Sequence, residues 1–387
     1  MKPLRFCALA LSLSILPALS AADDLSKVKT QADLDAFITA ASSPAIKAAA
    51  KETAAAILAA ADKHAHVEAV IQTIDASPGK FEKINTTPES LKKATGADVP
   101  LFDTLRAVDL SIPNAGPHDA RKVDPYDAAF FEHLGHITDL ESLYIIATKA
   151  NDTWIAPLGQ LTNLKSLRFV NNGKLSDAGL EHLAGLKQLE SFSYVGTAMQ
   201  GRAFEKFIGW NNLKNSSYRG SSLDDEGLHW LCERFTTLES LSLAHAKFTD
   251  AAAPNLAKLT KLKGIELGTH NGTPKTLQSL AGLPIEYLQL GEGFDSPECI
   301  PLIKGLPIHR LTVTNAKAYT PADVKQVAEL SHLESLEFSD LPENCIPELK
   351  AFTSLKQLRL VHRPKPYAPE IQEQIKTMLP KTALKFE

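Results

Sequence analysis

From Leu140 onward, apolar and variable positions alternate inside a short frame that keeps returning. The frame is L-x-x-L-x-L, clearest in Leu238-Glu-Ser-Leu241-Ser-Leu243. Ten copies begin at Leu140, Leu164, Leu189, Leu213, Leu238, Leu262, Ile285, Ile308, Leu333 and Leu355. Successive starts lie 24, 25, 24, 25, 24, 23, 23, 25 and 22 residues apart. Alternation within each copy is strand periodicity, so Leu241 and Leu243 point inward while Ser240, Ser242 and Ala244 point outward. One such strand cannot bury its apolar side alone. Stacking it on the next coil gives a continuous core and a parallel ladder.

The segments between frames carry a different spacing. Leu175-Ser-Asp-Ala-Gly-Leu180-Glu-His-Leu183-Ala-Gly-Leu186 places leucines three apart, the apolar side of a short helix, with Ser176 or Asp177 able to cap it. Leu223–Leu231, Thr249–Leu259 and Thr320–Leu330 read the same way.

On these residues the chain resembles bacterial leucine-rich repeat proteins whose coils carry T/S-D-x-G-L followed by leucines at spacing three. The resemblance covers 101–387. It implies an α/β fold, a right-handed solenoid with parallel strands on the concave face and short helices on the convex face. It says little about activity, because such arrays are general binding scaffolds. The family's asparagine, three residues past the last strand leucine, is matched only by Asn172. Thr148, Thr197, Ser221, Ala246, His270 and Gly293 stand in that slot elsewhere, so the polar ladder at the turns is partial.

Residues 1–22 read as a secretion signal, with Lys2 and Arg5, an apolar run over 6–16 and a small-residue cleavage site at 17–22. That places the mature chain in the periplasm or outside the cell. Residues 23–100 have another texture: alanine-rich, with helix starts at Ser43-Pro44 and Thr87-Pro88. Helices are expected over 27–41, 44–62, 64–76 and 87–95, as a polar cap for the open end of the solenoid or as a separate docking module. Leu105–Leu110 fits the frame as a first strand. It precedes Leu140 by 35 residues, so 113–126 is expected to be an inserted loop. A helix over 369–378 and an edge strand at Leu384–Phe386 are expected to close the far end.

Charge narrows the partners. The 387 residues hold 41 basic and 45 acidic side chains. Without residues 1–22 these become 39 and 45, a net of about −6. A mildly acidic chain lacks the basic face that nucleic acid requires. No later segment is apolar enough to enter a membrane. After the signal only Cys232, Cys299 and Cys345 remain, and they are expected to be buried or free thiols rather than a disulfide framework or a nucleophile. His64/His66 and His133/His136 lack the third ligand that zinc needs, so no metal and no cofactor is expected. Trp154, Trp210 and Trp230 are assigned to the core. Asp224-Asp225-Glu226 is assigned to helix capping.

The outward strand positions remain as the candidate binding face. Its centre is small and flat. Its larger members are Tyr144, Arg168, Arg219, Glu266, Tyr287, Gln289, Arg310, Glu337 and Arg359, around Ser240 and Ser242. Tyrosine and arginine are the side chains most enriched where binding energy concentrates. The reading is a non-enzymatic scaffold binding a protein through this face. A cell-wall polysaccharide stacked on Tyr144 and Tyr287 is the alternative, and an enzyme with its site in the 111–135 loop a further one. No nucleophile–base arrangement supports the last.

Overall fold

A computed structural model describes residues 24–111, 125–146, 148–269 and 271–387. The proposed signal and most of the 113–126 loop lie outside these residues. The chain divides into two compact units, one formed by the described residues up to Glu68 with Lys83–Leu105, the other by Ala69–Glu82 with Arg106–Glu387.

In the first unit, helix α1 (Gln31–Ala40) starts at Thr30, whose hydroxyl accepts from the Asp33 amide while Asp33 reaches back to the Thr30 amide. That reciprocal pair satisfies donors that a helix start leaves open. Ser43 caps α2 (Pro44–Glu52). The expected helices 44–62 and 64–76 meet differently: the break falls at Thr53, and α3 runs Ala54–Asp75. Alanine's high propensity carries α3 through the His64 region, where no residue interrupts it. Leu34, Phe37, Ala50, Ile57, Leu91 and Phe102 are buried in this unit's core.

Thirteen strands form one sheet whose spatial order is the sequence order. They are β1 (Lys80–Asn85), β2 (Asp103–Asp109), β3 (Ser142–Ile146), β4 (Ser166–Val170), β5 (Ser191–Val195), β6 (Asn215–Ser217) and β7 (Ser240–Ala244). There follow β8 (Gly264–Gly268), β9 (Tyr287–Leu290), β10 (Arg310–Val313), β11 (Ser335–Ser339), β12 (Gln357–Val361) and β13 (Ala383–Phe386). Pairing from β2 to β13 is parallel throughout. The first strand is therefore not the Leu105 frame but β1, a short charged stretch after Gly79. Its pattern is too polar for the frame to detect, as expected of an edge strand.

Register explains the repeat. Leu143 pairs with Leu167, Leu167 with Phe192, and further on Leu241 with Ile265, Ile265 with Leu288 and Leu288 with Leu311. All are buried, forming a leucine-rich repeat solenoid with one coil per strand. At β6 the rung residue is Ser216, whose hydroxyl donates to the Phe192 carbonyl at 2.7 Å. The space that leucine would fill there is taken by rings: Phe192 and Trp210 at 5.5 Å, Phe207 and Trp210 at 4.5 Å, Phe204 and Phe235 at 5.1 Å. Only Trp210 of the three tryptophans is core; Trp154 and Trp230 are half-buried, and Arg234 lies 5.1 Å over the Trp230 ring.

The returns are short. Four of those with a Ser, Thr or Asp start are α-helical: α4 (Ala128–Gly135), α5 (Asp177–Glu181), α6 (Asp225–Arg234) and α7 (Pro321–Ala328). Others are 3₁₀, including Ala156–Gln160, Ala253–Lys258 and Glu343–Ala351. Each of these three holds a proline, and a 3₁₀ turn covers more distance per residue than an α-turn. The helix α8 (Pro369–Met378) lies where the sequence places it, and so does β13.

Candidate functional site

Three rows of side chains run along the sheet, set by its register, and each treats charge differently. On the return side, aspartates bind the next coil. Asp152 accepts from the Ser176 amide at 2.8 Å and hydroxyl at 2.5 Å. Asp177 accepts from three amides, Gln200 at 2.7 Å, Gly201 at 2.9 Å and Ala203 at 3.1 Å. Asp225 takes the amide and hydroxyl of Thr249, and Asp250 takes both groups of Thr273 and the Thr276 hydroxyl. Helix capping falls to the preceding residue instead, Ser176 for α5 and Asp224 for α6. The T/S-D pair thus divides its labour: the first residue caps its own helix, the aspartate ties down the following coil. The glycine of the signature has its own reason. A Cβ at Gly227 would lie 1.9 Å from the Gln200 carbonyl oxygen, so the helix start can approach the previous coil only without a side chain.

At the strand entries the second row alternates in sign: Glu82, Arg106, Glu141, Lys165, Glu190, Lys214, Glu239, Lys263, Glu286, His309, Glu334 and Lys356. The amide of each residue from Glu141 to Lys356 donates to the carbonyl of its counterpart one coil back. Acid meets base in the next coil as Glu82–Arg106, Glu141–Lys165 at 3.0 Å, Glu190–Lys214 at 3.8 Å, Glu239–Lys263 at 3.4 Å and Glu334–Lys356 at 2.7 Å. Only His309 departs from a fixed positive charge at its place in the series.

The strand face itself carries the residues singled out in the sequence. Register puts Ser242 beside Glu266, Glu266 beside Gln289, Gln289 beside Thr312, Thr312 beside Glu337 and Glu337 beside Arg359. Two residues earlier on each strand, Ser240, Gly264, Tyr287 and Arg310 are neighbours. Eight of the eleven candidates therefore form a continuous surface across β7–β12. Tyr144 and Arg168 are adjacent on β3 and β4, a separate patch, and Arg219 lies just past β6. Small neighbours crowd closely enough that Ala244, expected to face out, is buried, as are Gly264, Gly268 and Ser339 at outward positions of β8 and β11.

Contacts differ within this surface. Ser242 donates to Glu266 at 2.7 Å, and the Tyr287 hydroxyl donates to Gln289 at 3.0 Å. Burial, then the charge of Glu266, pushes the Tyr287 phenol up to about 12. The Arg310 guanidinium lies 5.8 Å over the Tyr287 ring. Arg359 is held by Glu337 at 2.8 Å and by Glu387, which also pairs with Lys385 at 2.5 Å. Hydrogen bonds from Arg359 and Lys385 bring the Glu387 carboxyl down to about 2. Arg168, Arg219 and Arg310, by contrast, have no carboxylate within ion-pairing distance among the described residues.

A hollow of about 450 Å³ opens over β10–β13, lined on its polar side by Arg310, Thr312, Glu337, Gln357, Arg359 and Lys385. Lys385 and Glu387 were not among the sequence candidates. The alternation Leu384-Lys385-Phe386 carries the signal for Lys385, since it turns that side chain outward. A smaller apolar recess of about 170 Å³ lies by Phe81, Val108 and Tyr144.

The other sequence candidates resolve into structural roles. Cys232, Cys299 and Cys345 are free and buried. Burial pushes all three thiols up, Cys299 to about 11, which removes them as nucleophiles at neutral pH. His64 pairs with Glu68 at 3.2 Å and His136 with Glu132 at 3.7 Å. Among the described residues no group of three His, Cys, Asp or Glu side chains could hold a metal ion, and no helix is long and apolar enough to cross a membrane.

No protein-family model matches the chain, and no curated protein sequence does. Among solved structures it is similar to an internalin from Listeria monocytogenes, at 15% identity over 65% of this chain and 82% of that one, with a TM-score of 0.33. It is also similar to internalin C2 of that organism, at 18% identity over 56% and 79%, with a TM-score of 0.32. Neither superposition is close enough to carry anything about what this chain binds.

Proposed function

We propose that the chain is an exported, non-catalytic scaffold that binds a protein through the strand face of its coils. One observation carries the reading: the larger hollow opens on that face, and the guanidiniums around it are not all consumed by the protein's own carboxylates. A stacked array holds its outward side chains in fixed register, so little conformational entropy is lost when a partner docks. The titratable groups in the hollow pair with one another, Glu337 with Arg359 and Arg359 with Glu387, which suits recognition better than proton transfer. The polysaccharide reading has less support. Tyr144 and Tyr287 stand six strands apart, roughly 29 Å at the usual strand spacing, and Arg310 covers the Tyr287 ring.

A photo-crosslinking side chain placed at Gln289, and as control at Lys350 on the return side, tests this. Incubated with an envelope extract of the native host, the Gln289 variant is expected to give discrete protein adducts that Ser242→Trp suppresses. Adducts from Lys350 alone, or equal yields from both, would remove the strand face as the binding surface.

A further inference from the structure

Resting on that reading, the geometry points to an acidic, extended protein segment as the partner of the strand face. Charge complementarity carries the inference. The whole chain has a net charge of −4. From β2 to Glu387, just past β13, five basic side chains in the outward positions (Arg168, Arg219, Arg310, Arg359 and Lys385) stand against four acidic ones (Asp109, Glu266, Glu337 and Glu387). The face is therefore positive by one on a negative molecule. The surplus is localised. Arg359 and Lys385 are neutralised by Glu337 and Glu387, while Arg168, Arg219 and Arg310 are exposed with no carboxylate partner among the described residues. The strand-entry row shows that this chain pairs its bases with acids one coil away where the charge serves the fold. On the face it leaves three arginines open.

Arginine is the base suited to such a partner, since its fork takes a carboxylate bidentately. Tyr287 supports the Arg310 guanidinium from one side and leaves its donors for a ligand. Spacing narrows the class further. Arg168 and Arg219 belong to coils two strands apart, Arg219 and Arg310 to coils four apart. At about 4.8 Å per strand these steps are roughly 10 Å and 19 Å. An extended chain rises about 3.3 Å per residue and alternates its side chains, so carboxylates at even spacings, about two and then six residues apart, would face the three arginines in turn, the long arginine side chains taking up the remainder. The arginines occupy different positions across the face, and their long side chains allow them to converge on one path.

The test uses the full chain and a fluorescent twelve-residue peptide with Glu at positions 1, 3 and 9 of an otherwise neutral sequence, so that all three share one face when it is extended. Anisotropy is read at low salt and at about 0.5 M salt, where exposed ion pairs are screened. Binding is expected at low salt. Arg310→Ala is expected to weaken it about fivefold, the scale of a well-placed ion pair, and the triple Arg168→Ala/Arg219→Ala/Arg310→Ala to abolish it. Lys263→Ala, in the paired row, should change it less than about twofold. A peptide that fails to bind, or binds the triple variant equally, overturns the proposal. So does a polyuronate chain that binds through these arginines when the peptide does not. If the Gln289 adducts persist in the triple variant but vanish in Ser242→Trp, the strand face stands as the docking surface and only the acidic partner falls.

Discussion

The aspartates of the return side and the arginines of the strand face both recur along the array, but their surroundings are opposite. Asp177 is surrounded by donors from the next coil, three amides within 3.1 Å. Arg310 touches one ring and otherwise meets solvent. A charge whose hydrogen bonds are all made inside the molecule is part of the stacking. A charge left open contributes little to folding and remains available to a ligand. The contrast separates structural polarity from functional polarity in a repeat protein, where both kinds are periodic.

The largest effect is expected where the contrast is sharpest. Asp177→Ala leaves the Gln200, Gly201 and Ala203 amides without their acceptor in a partly buried turn. Each buried donor left unsatisfied costs about 1–3 kcal/mol, reduced where water can reach it, so a loss of about 2–4 kcal/mol is expected. Urea unfolding followed by circular dichroism measures it. Asp177→Asn keeps one acceptor oxygen and should recover part of the loss. An unchanged midpoint for Asp177→Ala would mean that these carboxylates do not couple the coils.

Acid tests the same row as a group. Burial alone would raise the Asp250 carboxyl, but the donors from Thr273 and Thr276 outweigh it and hold it below the usual range. Asp340, which lies just past β11 and outside that row, behaves alike: burial opposes, and the Arg363 amide and guanidinium prevail. A carboxyl lowered in the folded state stabilises fully above its unfolded value and loses that contribution as pH falls through its folded one. Thermal stability should therefore begin to fall as pH drops below the ordinary aspartate value of about 4, and go on falling as it passes through the lowered folded value. Asp250→Asn should flatten that part of the profile. A parallel profile in wild type and variant would show that Asp250 does not carry it.

These roles were unevenly legible in the sequence. The strand frame was read correctly because alternation of leucines is a direct projection of which side is buried, and β3–β13 lie where it places them. Sequence suggests capping for this motif, because capping is decided within four residues, and Ser176 and Asp224 do cap; the neighbouring Asp177 and Asp225 do not. Their true partners lie 23 to 26 residues ahead, and only the stacking brings Thr249 to Asp225 or Ala203 to Asp177. The β1 strand escaped for a related reason: its polar sequence has no apolar period to project. On the binding face, alternation correctly predicted which side Tyr287, Arg310 and Arg359 occupy. It could not predict that Arg359 would be neutralised by Glu387, a pairing created by the final strand, nor that small neighbours would bury Ala244.

The strand-entry row lies between the two extremes and should behave so. Lys263 and Glu239 are about half exposed at 3.4 Å. Lys263→Ala should cost about 0.2–1 kcal/mol, less in high salt. The reversal Lys263→Glu should cost more, because it sets a third acid beside Glu239 and Glu286, whose backbones its own amide and carbonyl join. Adding Glu239→Lys should restore part of the loss. A reversal that is neutral at low salt would show that the alternation is a sequence habit with no energetic consequence.

The smallest stability effect is expected at Arg310, and its smallness is the point. Its one internal contact is with the Tyr287 ring at an exposed site, worth about 0.5–1 kcal/mol at most. Removing the side chain also relieves the mutual repulsion of a positive surface and frees a long rotamer, both of which offset that loss. Arg310→Ala should therefore unfold within about 0.5 kcal/mol of wild type in the same urea titration that separates Asp177→Ala clearly. If Arg310→Ala destabilises as much as Asp177→Ala, the guanidinium is held by contacts within the fold, and the division between the two rows fails at the residue on which the binding face most depends.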